Sequence, residues 1–155
     1  MGALVIHRKQ CSSSKVLVNV RIRSLEELLM ARLHHLPAAL QHSLTERSLL
    51  KIISGLNNFD CKSVERVSRA AGLGGADLID VACDPHLVRL ALETSDLPVC
   101  VSAVEPNLFL KAVDAGASMV EIGNFDSFYP RGRFFDASEV LDLTLETRKL
   151  LPDVF

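Results

Sequence analysis

The chain has no CxxC pair, no run of apolar residues long enough to cross a membrane, no marked excess of either charge, and no acidic residue before Glu26. Each absence excludes something. Cys11, Cys61, Cys83 and Cys100 have no partner cysteine or histidine at ligand spacing, so neither a zinc site nor a disulfide framework is indicated and all four read as free thiols. A membrane helix needs roughly 18 consecutive apolar residues, and the short run from Ala3 to Ile6 is also too small for a signal-peptide core. A formal net charge of -2, from 17 basic and 19 acidic residues, gives no reason to expect a nucleic-acid partner. With 155 residues and 48% apolar content, the chain falls in the size range of one domain with its own core, which excludes collagenous and intrinsically disordered classes.

The charges are unevenly distributed. Residues 1–48 carry seven basic and three acidic side chains, leaving ten basic and sixteen acidic for the remainder. Arg8, Lys9, Lys15, Arg21 and Arg23 are interspersed with Ser12, Ser13 and Ser14, the composition of an organelle transit peptide; an ordinary basic tail is the alternative. Ser24 with Glu27 forms a capping box ahead of an amphipathic helix that ends before Pro37, and a second short helix is expected over residues 38–48. His34, His35 and His42 lack a carboxylate or cysteine that would close a coordination shell, so they read as exposed helix histidines and no metal site is expected. Residues 1–44 are therefore read as a helical, partly disordered extension, and 45–155 as the folded body.

From Leu49 onward, short and nearly continuous apolar runs alternate with helix-like stretches. The runs are 49–54, 78–82, 98–103 and 119–122, as expected of parallel strands covered on both faces. Asp60, Asp84-Pro85, Glu105-Pro106 and Asp136 with Glu139 mark the starts of the intervening helices. An internal echo supports the repeat: Gly75-Ala76-Asp77-Leu78-Ile79-Asp80-Val81-Ala82 recurs as Gly116-Ala117-Ser118-Met119-Val120-Glu121-Ile122-Gly123, offset by 41 residues, the length of two β/α units. Repetition suits a barrel better than an open sheet. The expected fold is α/β, a parallel (βα)4 half of an aldolase-type TIM barrel. Leu151-Pro152-Asp153-Val154-Phe155 resembles the Leu97-Pro98-Val99 lead into the third strand, so a fifth strand is expected to begin there. A closed barrel needs eight units and about 250 residues, so a homodimer closing the half barrel is one expected assembly.

Three charges interrupt the apolar strands: Lys51, Asp80 and Glu121. Strand alternation puts all three on the face away from the helices, where a lysine among carboxylates can act as Schiff-base nucleophile or proton shuttle. A structural ion-pair layer is the rival reading. At the carboxy-terminal strand ends, where barrel enzymes hold their sites, Ser54, Asn57, Asn58, Ser102, Gly123 and Asn124 are the ligand-binding candidates for a small polar molecule. Asp60, Asp84 and Glu105 are more simply helix caps, and Cys83 more simply packing than a nucleophile. Tyr129, Arg131 and Arg133 form a basic, aromatic loop that either binds an anion or is merely solvated. The residues name no substrate and no cofactor.

The stretches Lys51-Ile52-Ile53-Ser54-Gly55-Leu56-Asn57-Asn58-Phe59-Asp60, Ala82-Cys83-Asp84-Pro85, Cys100-Val101-Ser102-Ala103-Val104-Glu105-Pro106 and Val120-Glu121-Ile122-Gly123-Asn124-Phe125-Asp126 follow in order at the strand ends. In these residues the chain, over about 45–155, resembles the hypothetical chloroplast reading-frame twenty-three family of cyanobacteria, algal plastids and plants. The resemblance implies an aldolase-type barrel of unknown function and a soluble chloroplast protein. Against that pattern the chain ends after the fourth unit, which implies half of a barrel, either natural or cut from a longer product. A small-metabolite enzyme, or its remnant, is the leading expectation; a non-catalytic plastid binding or regulatory protein is the other.

Overall fold

A computed structural model describes residues 33–155. The transit-peptide segment, the Ser24 and Glu27 capping box and Cys11 lie outside the described residues. A 3-10 turn, Leu33–His35, leads into α1 (Ala38–Thr45), and four units follow: β1 (Lys51–Ile53) and α2 (Cys61–Leu73), β2 (Leu78–Ala82) and α3 (Pro85–Ser95), β3 (Val99–Ala103) and α4 (Pro106–Asp114), β4 (Met119–Ile122) and α5 (Ala137–Leu150). The strands form one parallel sheet in the order β1-β2-β3-β4, with register Ile52 to Ile79, Ile79 to Val99 and Val101 to Val120. This is the (βα)4 arrangement expected from the alternating runs.

The helices start where polar side chains replace missing backbone partners. Asp60 accepts from Lys62 N, Asp84 from His86 N and Leu87 N, and Asp136 from Ser138 N and Glu139 N. Glu139 completes a capping box by accepting from Asp136 N at 2.9 Å. Each such cap contributes about 1 kcal/mol. Glu105 occupies the same position before α4 without a side-chain cap, and Pro106 sets the helix entry there instead.

The echoed glycines end helices in the same way. Ala76 N donates to Ala71 O and Gly75 N to Gly72 O; Ala117 N donates to Ala112 O and Gly116 N to Val113 O. Such paired closure needs a left-handed residue, and Gly75 and Gly116 have φ of 75° and 112°. The sequence repeat is thus also a repeat of backbone geometry.

The two faces of the sheet are covered differently. Ile79, Val81, Val99 and Val101 face the helices and pack with Val64, Leu87, Val88 and Phe109 in the main core. Leu78 and Cys100 lie on the other face, where Leu36 and Leu40 bury against them, joined by Met119 and Phe155. Sequence reading assigned α1 to the extension; here it closes the amino-terminal end of the concave face. Ser43 Oγ donates to Asp77 Oδ1 at 2.6 Å and Leu50 N to Asp77 Oδ2 at 2.8 Å, tying α1 and the lead into β1 to β2. The Asp77 side chain thus takes the Leu50 N–H while Leu50 O still accepts from Asp77 N at 3.0 Å, and β1 is shorter than the 49–54 run.

At the other edge, Leu151 is buried and Val120 N donates to Phe155 O at 3.0 Å. The expected fifth strand does not form within residues 151–155, but that hydrogen bond seats the end of the segment on β4. The flank beyond β1 is open among the described residues, and a shallow apolar groove of about 360 Å³ runs between β1 and α2, lined by Leu50, Ile52, Val67, Ala70 and Ala76 with Arg66 at its rim. No helix among the described residues is long and apolar enough to cross a membrane.

Candidate functional site

Strand alternation brings Lys51, Asp80 and Glu121 to one point on the concave face. Lys51 Nζ lies 2.9 Å from Asp80 Oδ2 and 2.5 Å from Glu121 Oε2. Asp80 is fully buried and Ser102 Oγ sits 3.2 and 3.1 Å from its two carboxylate oxygens. The Asp80 backbone carbonyl also accepts from Ser54 N at 2.9 Å and Ser54 Oγ at 3.1 Å. Glu121, on an edge strand, is about half exposed, and Lys51 is its ion-pair partner.

Burial alone would lower the pKa of Lys51, but hydrogen bonds to Glu121 and Asp80 outweigh it and hold the ammonium above the ordinary lysine range. Asp80 is also raised, by burial first, against the opposing pull of Lys51 and Ser102. Both directions follow from depth. The Lys51 side chain keeps about a fifth of its surface exposed while Asp80 keeps none, so the pairing outweighs desolvation for the lysine but not for the acid. The lysine stays protonated and Asp80 is the group that holds its charge at a cost.

Sequence reading missed Cys100. It pairs with Asp80 across β2 and β3, is fully buried, and its thiol is pushed up by burial and by Asp80. The signal was available, because the alternation that faces Ser102 toward Asp80 also faces Cys100 the same way. Ligand atoms of Asp80, Cys100 and Glu121 lie within 4.8 Å of one another, close enough to converge on a cation. The Lys51 ammonium lies against both carboxylates and supplies that positive charge from within the chain.

The ligand candidates form a rim at the carboxy-terminal strand ends. Asn124, with φ of 70°, donates to Asn57 Oδ1 at 2.9 Å and to Leu56 O at 3.4 Å, joining the loops after β1 and β4. Asn58 is engaged within its own loop: Nδ2 donates to Ser54 O and Ser63 Oγ, and Oδ1 accepts from Asp60 N. Gly123 leaves room for Glu121, since a Cβ there would stand 3.2 Å from Glu121 Oε1. Ser54 and Ser102 are buried beneath the rim.

The remaining candidates are engaged elsewhere. Arg133 Nη2 pairs with Glu139 Oε1 at 2.5 Å and its guanidinium lies 4.2 Å over the Phe135 ring, so its charge is spent on holding the loop to α5. Tyr129 stacks on Phe134 within the same loop. Cys83 packs against the core, and burial, with Asp84 and Asp80, pushes its thiol up to about 12, which does not suit a nucleophile.

Residues 36–155 match the sequence model of a family described as Protein of unknown function (DUF561). The chain is 48% identical over 111 residues to Uncharacterized protein ycf23 of Cyanophora paradoxa, covering 71% of this chain and 46% of that relative. It is 35% identical over 109 residues to Uncharacterized protein ycf23 of Pyropia yezoensis, covering 70% of this chain and 40% of that relative. The match to the same protein of Antithamnion sp. is 36% over 113 residues, covering 73% and 41%. The chain spans less than half the length of these curated relatives.

Proposed function

Since the chain belongs to the DUF561 family, with algal ycf23 proteins among its relatives, we propose that it carries half of the active site of an enzyme acting on a small metabolite in the plastid. Lys51, Asp80 and Glu121 form the polar centre, and Asn57, Gly123 and Asn124 form the ligand-binding rim, with Ser54 and Ser102 buried beneath it and Asn58 shaping its loop. The observation that carries this reading is the convergence of three charges from β1, β2 and β4 on the concave face, within the sheet and below the carboxy-terminal loops where β/α barrels do chemistry. In this reading the sheet is half of an aldolase-type barrel, and residues 1–44 include the plastid address. A barrel hosts many reactions, so the fold does not select one.

The test is a screen of a plastid metabolite extract by mass spectrometry, using the full-length relative from Cyanophora paradoxa. Consumption of a metabolite should disappear when the residue aligned with Lys51 becomes Ala while the melting transition persists. Turnover that survives the substitution would sink the proposal.

A second reading, a non-catalytic plastid binding or regulatory scaffold, is favoured by the completeness of the Lys51 and Asp80 pairing and by the open apolar groove beside β1. Stable capture of a protein partner, without turnover of any metabolite, would decide for it. In either reading a second copy could close the ring by pairing its β1 with β4, which requires Phe155 to leave its seat on Val120.

A further inference from the structure

Lys51 is held by two carboxylates of unlike character. Asp80 is fully buried, in contact with Ser102 through both oxygens, and lies on a central strand, so it cannot leave without exposing an unpaired charge. Glu121 is about half exposed, lies on an edge strand, and is held by Lys51 alone among the interactions described. Beside it, Gly123 supplies the space into which its carboxylate leans, and a Cβ at that position would crowd Oε1. Above, the Asn57 and Asn124 amides are joined by one hydrogen bond, leaving Asn57 Nδ2 and Asn124 Oδ1 free of partners among the described residues.

We infer that the Glu121 carboxylate is an internal, displaceable occupant of an anion site on Lys51, and that the external ligand of this site is a small carboxylate. Chemical identity points to that class, because the group already seated on the ammonium, in hydrogen-bonding geometry, is a carboxylate on a flexible arm. A ligand carboxylate takes its place on Lys51, Glu121 swings to solvent, and Asp80 stays. Lys51 then acts as a fixed ammonium anchor and not as an amine nucleophile, in keeping with the two acids that keep it protonated. This rests on the reading of the rim as a ligand site, though not on any turnover there.

Isothermal titration calorimetry of the 155-residue chain with sodium acetate, at constant ionic strength set with chloride, tests it. Glu121→Gln, on an exposed position that should not impair folding, is expected to bind acetate about tenfold more tightly than the wild type, because a competing charge has gone. Gly123→Ala should act in the same direction by crowding Glu121, and a Lys51→Met, Glu121→Gln double variant should lose binding. Unchanged or weaker acetate binding by both Glu121→Gln and Gly123→Ala would overturn the inference. Tighter binding of inorganic phosphate than of acetate by Glu121→Gln would overturn the ligand class. Acetate binding by this chain, together with no metabolite consumed by the full-length relative, would uphold this inference and defeat the enzyme reading.

Discussion

Lys51 and Glu121 lie on strands separated by two others, yet their side chains meet at 2.5 Å. The sheet must be curved for that reach, and its concave side is where the two meet. The two acids that Lys51 contacts should nevertheless behave differently on mutation. Lys51→Met strands the fully buried Asp80 and should cost about 3–5 kcal/mol. Glu121→Gln removes only a half-exposed partner and should cost less than about 1 kcal/mol. Urea denaturation checks the pair, and equal losses would show that Asp80 does not depend on Lys51.

The alkaline limb of the stability profile should belong to Lys51. Its pKa is raised in the folded state above the ordinary 10.5, so the native protein holds this proton more tightly than the unfolded chain. The contribution is complete below the ordinary value and lost as pH rises through the folded one. Melting temperatures above about pH 10.5 should therefore fall more steeply in the wild type than in Lys51→Met.

The acid limb has the opposite sign. Glu139 is lowered by its hydrogen bond from Arg133 and then by Asp136 N, and Asp77 by Ser43 and then by Leu50 N. Stability from each is present above its ordinary pKa and lost as pH falls through the folded one. Asp77→Asn should flatten the decline below about pH 4. It should also speed amide exchange at Leu40 and Ser43 while leaving Val99 and Val101 unchanged.

Gly75 and Gly116 occupy equivalent turns but have different neighbours. An added Cβ at Gly75 meets nothing within 4 Å, whereas at Gly116 it would stand 2.8 Å from Leu92 Cδ1. Gly75→Ala should cost about 1 kcal/mol from its left-handed backbone alone. Gly116→Ala should cost more, and a thermal melt giving equal losses would show that Leu92 yields freely.

Self-association should be held back by Phe155. Removal of Val154 and Phe155 exposes the Val120 N–H, and light scattering should then report a larger dimer fraction than for the intact chain. An unchanged molar mass would count against ring closure by a second copy.

Much of this was legible in the sequence because strand alternation acts locally. Ile79 and Val81 flanking Asp80, and Val120 and Ile122 flanking Glu121, sufficed to put both acids on one face. Helix starts at Asp60, Asp84 and Asp136 were legible for the same reason, since a cap concerns its own next three residues. Less legible were features that depend on distant partners. The expected helices before and after Pro37 did not show that Leu36 and Leu40 cover a face of the sheet, and Asp77 could not be matched to Ser43 across 34 residues. Cys100 was read only as a thiol, although the rule that placed Asp80 applied equally to it. Asn58 was read as facing a ligand, while its amide is satisfied within the loop that it shapes.

The 41-residue echo maps Asp80 onto Glu121 as surely as it maps Gly75 onto Gly116. The two acids on either side of Lys51 are thus one position counted twice, and what distinguishes them is placement. Strands on both sides of the first acid keep it dry, whereas the second stands on the sheet's margin and stays wet. From a duplicated position the fold obtains one acid that is a fixture and one that stands at the margin, an asymmetry that begins with where each copy of the repeat sits in the sheet.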